Sequence, residues 1–486
     1  MKKRDWGTAA LLCIGLGFAL LGQYYFVYRR DPFFRDGIVF YSLAAAAFGV
    51  LWWRLRRPEK EVPPEPAAPK VWAERIPLRR VAAVGGLILA AFAGWTAARR
   101  PWDSDFSGVF WLWVVGVGWF LASFAPSIPK DWPQRCVGWL KRNRGEVWRV
   151  AALLAVALAV RGVALEEVPR NFGGDEGIQA LAGLRLVERP LDNPFGTGWY
   201  SVPTMSFLLV GTAMRIFGAT VAGARTLSAF AGMGAVLSTY LLARELWGRR
   251  VGTFAALLLA FGHYHLHFSR LASNQIGDAL FITLALWLLV RGLASEEPWY
   301  FVLAGAVTGA AWYAYFGARL VLIVIGCYLG LRALKERGFL HRHWESLALM
   351  GLAAFVVVLP LLFHYLRDWG AMAARYNQVS IFSSGWLAQE QIVTGRSAVY
   401  LLLQQLWKAV SAFHYTVDPT FWYRPDIPLL DFVSGVFMLF GLVDVVRCRR
   451  WRSDGLLLLW FGLALVLGWT LNENPPSSQR LTITAP

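Results

Sequence analysis

Two adjacent carboxylates follow a pair of glycines in the stretch NFGGDEGIQA, at Asp175 and Glu176. About a hundred residues later HYHLHFSRLASNQIGD gathers His263, His265, His267, Arg270, Asn274 and Asp278. Arg319 opens an apolar run, Arg375, Tyr376, Glu390 and Arg396 punctuate a polar stretch, and Arg480 lies in PSSQRLTITAP. A carboxylate beside hydrocarbon has a raised pKa and can accept a proton near neutral pH. A guanidinium grips phosphate through two parallel hydrogen bonds and stays charged when partly buried. Acids and arginines together suit a hydroxyl attacking a phosphate-linked, anionic donor.

Other readings attach to each residue. Asp175 can N-cap the helix that EGIQALAGLRLVE forms, and Glu176 can serve the helix dipole. The histidines do not share one helical face, and HYHLH lacks the glutamate of an HExxH zinc motif. Local hydrogen bonding accounts for them more simply. Arg270 and Asp278 can pair with each other, and Arg319 and Arg480 can snorkel to headgroups.

The elements that must position these groups are membrane helices. The 486-residue chain is 57% hydrophobic and only 16% charged, with a mean hydropathy of +0.44. Soluble domains average about a quarter charged residues, and repeated apolar runs here approach the length that crosses a bilayer. The fold class is all-α and polytopic, with about thirteen transmembrane helices. Crossings are expected near 8–27, 37–53, 81–97, 108–125, 148–165, 224–246, 252–268, 279–293, 300–316, 319–334, 345–366, 430–446 and 455–471.

Charge orients them. With the N-terminus inside, about 29 Lys and Arg face 14 Asp and Glu on the inner side, against about 19 and 17 outside. The net charge of +17 is therefore read as topology, without nucleic acid as a partner. Segments 203–218 and 398–413 are apolar but break the charge rule if they cross, so they are expected as interfacial helices. Four cysteines without a CxxC pair exclude a disulfide framework or a zinc site of that type. The first apolar run lacks a small-residue cleavage site and reads as an uncleaved span. Linkers at 54–80 and 126–147 set off the first four spans, giving a membrane module at 1–147 and a core at 148–486. On this topology the multi-pass chain sits in the cell membrane with every residue of the first paragraph on its outer face.

The order DE, then ARTLSAF, YLLARELWG, HFSRLASNQIGD and finally PSSQR resembles integral-membrane GT-C glycosyltransferases of the PMT-like and ArnT-like (glycosyltransferase 39-like) group. The resemblance runs over about residues 148–486. It implies an inverting transferase moving a sugar from a polyprenyl-phosphate-linked donor to a protein, lipid or glycan hydroxyl on the outer face. It carries the base or acceptor-binding role to Asp175, with Glu176 and Asp278 as further catalytic acids. Arg270, Arg319 and Arg480 become donor-phosphate ligands, and His265, His267, Asn274, Tyr376 and Glu390 candidates for the substrate pocket. No cofactor is required on this reading, and a divalent cation held by Asp278 with Asp175 is the alternative. GGDEG stands where the family commonly has HPDEA, and the chain stops where a further span is expected, so it reads as incomplete. A polysaccharide ligase or polymerase and a lipid-linked-sugar transporter are the rival functions. The transporter predicts internal repeats and midplane acids, which the sequence lacks.

Overall fold

A computed structural model describes residues 6–55, 76–188, 190–420, 423, 426–448, 450–473 and 475–486. Most of the expected linker 54–80 and parts of FWYRPD and RCRRWR lie outside the described residues. Among the described residues the chain is helical and has no strand, with Thr197 and Pro203 joined by an isolated bridge. Among the described residues eight helices are long and apolar enough to cross a membrane: Gly7–Tyr28, Phe34–Leu51, Val81–Arg99, Ser107–Phe124, Val221–Trp247, Ile276–Ser295, Phe316–Lys335 and Phe339–Arg367. The chain is a multi-pass membrane protein. The other five expected crossings correspond to shorter or more charged helices, Arg144–Gly162, Arg249–Phe261, Pro298–Ala310, Phe432–Cys448 and Asp454–Leu463. The last of these continues as a π-helix, Ala464–Thr470.

The chain divides into two compact units, and the division differs from the expected 1–147 and 148–486. One unit contains residues 1–68, 262–264 and 387–479; the other contains 69–261, 265–386 and 480–486. In the first, the two N-terminal helices pack on Phe432–Cys448 through Ala19, Ala44, Phe48 and Val436. Arg447 adds a hydrogen bond to the Gly49 carbonyl at 2.6 Å. The third and fourth helices go instead with the larger unit, because small residues let them close on it. Gly86 and Gly116 sit against each other's backbones, and Ala83, Ala90 and Phe120 pack with Val302, Ala353 and Val356. Linker composition marks where the chain is polar, and these contacts decide where it groups.

The larger unit also shows how the acidic stretch is held. Helix Gly174–Val187 crosses helix Thr204–Phe217 at Gly183 and Gly211, where a Cβ on Gly211 would lie 1.9 Å from the Gly183 carbonyl oxygen. Arg215 reaches the Val187 carbonyl at 2.5 Å, so the two helices run in the same direction. The second helix, expected at the membrane interface, has nine of its fourteen residues buried. Gly218, at φ +104°, ends it in a conformation that favours glycine.

Candidate active site

Helix geometry separates neighbouring residues by about 100°, so Asp175 and Glu176 cannot face the same way. Glu176 turns inward and is 2% exposed. Its Oε1 accepts from Arg225 Nε at 3.0 Å and from the Ala272 amide at 2.7 Å. Its Oε2 accepts from Arg225 Nη2 at 3.1 Å and from the Gly173 amide at 3.2 Å. Arg225, fully buried, gives its remaining N–H groups to the carbonyls of Leu165 (3.1 Å), Pro169 (2.9 Å) and Asn171 (3.1 Å). Five donors therefore meet five acceptors. This pair ties helices Gly174–Val187 and Val221–Trp247 to the 165–171 loop and the 270–275 turn.

Two more buried arginines continue the pattern. Arg270 donates to the carbonyls of Val160 (2.6 Å), Val163 (2.7 Å), Ala164 (3.2 Å) and Val168 (3.0 Å). Arg161 donates to those of Ala157 (2.9 Å), Leu259 (3.3 Å) and Ala260 (3.1 Å) and faces His265 Nδ1 at 3.0 Å. Helix C-termini leave carbonyls unpaired and partially negative, which buried cations satisfy. Arg270 was expected on donor phosphate. Its three nitrogens are turned to main-chain carbonyls instead, so the geometry gives it a structural task. His265, expected in the pocket, is buried against Arg161. A guanidinium only donates, so the ring accepts from Arg161 at Nδ1, and its Nε2 meets no hydrogen-bond partner among the described residues.

Asp175 is the acid left available. It is half-buried and takes no hydrogen bond from the described residues. Burial raises its pKa, and the positive charge of Arg375 pulls it partly back. Arg375 in turn lies 5.5 Å from the Tyr200 ring. Tyr200 and Ser201 both hold positive φ, at 51° and 59°, a strained pair for non-glycine residues. Tyr376, beside Arg375, is 59% exposed.

One turn after Asp175, Gln179 is buried with its Oε1 unpartnered. The parallel crossing at Gly183 brings this turn alongside the start of Thr204–Phe217, where Ser206 accepts from the Asn274 amide at 3.3 Å. Asn274 Oδ1 is likewise buried and unpartnered. Gln179 and Asn274 thus offer amide oxygens that no described residue satisfies, a poise suited to hydroxyl donors.

A second group surrounds Asp278, whose carboxylate is fully buried and accepts no well-formed hydrogen bond. Gly317 packs directly on it, since a Cβ there would lie 2.1 Å from Oδ2. The Ala318 amide, the Thr482 hydroxyl and the Arg319 charge lie beside it. Arg319 donates to the Tyr365 hydroxyl at 2.6 Å and sits over the rings of Phe316 (4.7 Å) and Trp312 (5.3 Å), leaving its Nε without a hydrogen bond. Arg480 ends the turn Ser478–Arg480, and Thr482, two residues on, donates to the Gln275 carbonyl at 2.8 Å. His267 is half-buried, edge-on to Phe268 at 5.4 Å. Glu390, on helix Trp386–Thr394, falls in the other unit.

Arg225, Arg161 and Gln179 join the site through the structure alone, with no role expected from the sequence. The signal for Arg225 was present: an arginine among the small residues of GARTLSA, with no acid one turn away, requires a distant carboxylate. The pairing yields a stability prediction. Glu176→Gln leaves a buried guanidinium unpaired and costs about 3–5 kcal/mol. Thermal unfolding in detergent should show a much smaller loss for Asp175→Asn, which has no partner to abandon.

Comparison with known proteins places part of the chain. Residues 201–364 match the family described as dolichyl-phosphate-mannose-protein mannosyltransferase. An uncharacterized protein of Aquifex aeolicus (strain VF5) is 24% identical over 268 residues, 54% of this chain and 47% of that protein. The chain thus spans about half the length of this curated relative. Among solved structures, the archaeal oligosaccharyltransferase AglB from Archaeoglobus fulgidus, in complex with an inhibitory peptide and a dolichol-phosphate, aligns with TM-score 0.43 and 15% identity. The alignment covers 71% of this chain and 50% of that one. The same organism's oligosaccharyltransferase in complex with Zn and sulfate gives TM-score 0.43 and 16% identity, over 69% and 48%. The family segment contains Arg225, Arg270, Asn274, Asp278 and Arg319, while Asp175, Glu176 and Arg480 lie outside it. Over residues 201–364 the chain matches the protein-mannosyltransferase family, and the PMT-like resemblance carried by its motifs holds.

Proposed function

We propose that the protein is a membrane glycosyltransferase that moves a sugar from a polyprenyl-phosphate carrier to a hydroxyl acceptor on the outer face, with inversion. The observation that carries this reading is the division of labour between the two neighbouring acids. Glu176 is locked into the scaffold, while Asp175, taking no hydrogen bond from the described residues, is presented from the same first turn. In the step proposed, the acceptor oxygen bonds to the anomeric carbon as its proton passes to Asp175. The bond from that carbon to the phosphate oxygen breaks, and polyprenyl phosphate leaves with the electron pair. The transition state carries oxocarbenium character, as in other glycosyl transfers.

Arg319 and Arg480 are proposed to take up the negative charge that develops on the leaving phosphate. The Arg319 Nε, without a hydrogen bond and beside aromatic rings, supports that role. Asp278, buried beside Arg319, is proposed to help position it. Gln179 and Asn274 would accept hydrogen bonds from hydroxyls of the bound sugar or acceptor, with His267 and Tyr376 at the margin. No step is assigned to a metal, and the acceptor can be protein, lipid or glycan.

Two outcomes are expected. With purified protein and a panel of polyprenyl-phosphate monosaccharides, wild type should release polyprenyl phosphate only when acceptor is added. Asp175→Asn should lower that release by roughly two to four orders of magnitude, the usual worth of a general base. Release by the variant at the wild-type rate would remove Asp175 from the base role. The base acts ionised, so the rate should fall as pH drops through its raised pKa. Arg375 opposes that rise, and Arg375→Gln should therefore move the acid limb of the pH–rate profile to higher pH.

A further inference from the structure

The chain between helices Ser107–Phe124 and Arg144–Gly162 contains KDWPQRCVGWLKRNR, residues 130–144. Asp131 precedes a helix at Trp132–Arg142, and Pro133 sits in its first turn, where a missing N–H costs nothing. At 3.6 residues per turn, Trp132, Pro133, Cys136, Val137, Trp139 and Leu140 share one arc. Gln134, Arg135, Gly138, Lys141 and Arg142 occupy the other. No residue of this helix is buried, and Trp132, Val137, Trp139 and Leu140 are each at least 46% exposed. An apolar face of this kind, bare in the chain itself, requires a cover.

Charge identifies the cover. Asp131 is paired with Arg135 at 2.7 Å, and Glu146 is buried against Arg244 (2.8 Å) and Arg249 (2.9 Å). The local acids are thereby neutralised. Lys130, Lys141, Arg142 and Arg144 remain exposed without an ion pair among the described residues. Position narrows the choice further. The helix follows a membrane-length helix after only residues 125–131, and turns at Asn143 directly into the next apolar helix. Seven residues extend at most about 25 Å, so the segment is tethered at both ends to the bilayer surface. Trp148, exposed one turn into Arg144–Gly162, adds an aromatic of the kind enriched at that depth.

We propose that Trp132–Arg142 is an interfacial anchor that binds anionic lipid. Its apolar arc enters the acyl boundary while Lys130, Lys141, Arg142 and Arg144 engage negatively charged headgroups. The proposal is independent of the transferase reading.

Cys136 lies within the apolar arc and provides the probe. Cys13→Ser, Cys327→Ser and Cys448→Ser leave it as the single cysteine of the full chain. A comparison variant carries Cys136→Ser and Gln134→Cys, which moves the thiol to the polar arc. Labelling by a charged, membrane-impermeant maleimide is followed in nanodiscs of phosphatidylcholine with or without phosphatidylglycerol. Cys136 should label roughly tenfold or more slowly than the cysteine at 134 when anionic lipid is present. That protection should weaken in phosphatidylcholine alone, in high salt, and with Lys141→Glu and Arg142→Glu combined. Equal labelling of the two positions overturns the anchor. Protection that ignores lipid charge and the charge reversals overturns the headgroup recognition. Protection that persists in detergent without lipid shows a cover made of protein and overturns both.

Discussion

The buried ion pair between Glu176 and Arg225 is the constraint on which the proposed site depends. Taking two charges out of water is expensive, and the attraction between them returns that cost only when every remaining donor and acceptor is also met. Here they are met: Arg225 has five acceptors and Glu176 four donors. One carboxylate thereby fixes two helices, a loop and a turn. The backbone of its neighbour Asp175 is positioned with them, in the first turn of the same helix.

The same logic extends to Arg161 and Arg270. Helices that end near the site leave carbonyls that neither lipid nor packed side chains can satisfy. Arginines reach several carbonyls at once and stay charged. Together the three build a rigid floor from irregular chain, over which Asp175, Gln179 and Asn274 keep unused hydrogen-bonding capacity. Asp278 and Arg319 belong to a different arrangement. There the acid lies against the backbone of Gly317, and its neighbouring arginine is held among aromatic rings and one tyrosine hydroxyl. A buried acid without a well-formed hydrogen bond from the described residues is a costly feature, and such features concentrate where function requires them.

Much of the scaffold was legible because it rests on composition. The apolar runs near 8–27, 81–97, 279–293 and 345–366 each correspond to a long helix, since hydrocarbon length is a property of the sequence itself. The helix opening at GGDEG was legible from its acids and apolar spacing. What was hidden depends on distant partners. Nothing in DEG says which acid meets an arginine 49 residues away, and nothing in HFSR says that Arg270 will meet carbonyls of another helix. The grouping of the first two helices with residues 387–479 was hidden for the same reason. It depends on Phe48 finding Val436 and on Arg447 finding Gly49.

The two adjacent acids are physically unlike: Glu176 is bound on both oxygens, and Asp175 takes no hydrogen bond from the described residues. Carboxyl footprinting tests it directly: the protein in nanodiscs is treated with a carbodiimide and an amine, and the tag is located by fragment-ion mass spectrometry. Modification is expected at Asp175, with Glu176 protected by Arg225 and the two main-chain amides. Modification of Glu176 with Asp175 protected would contradict it.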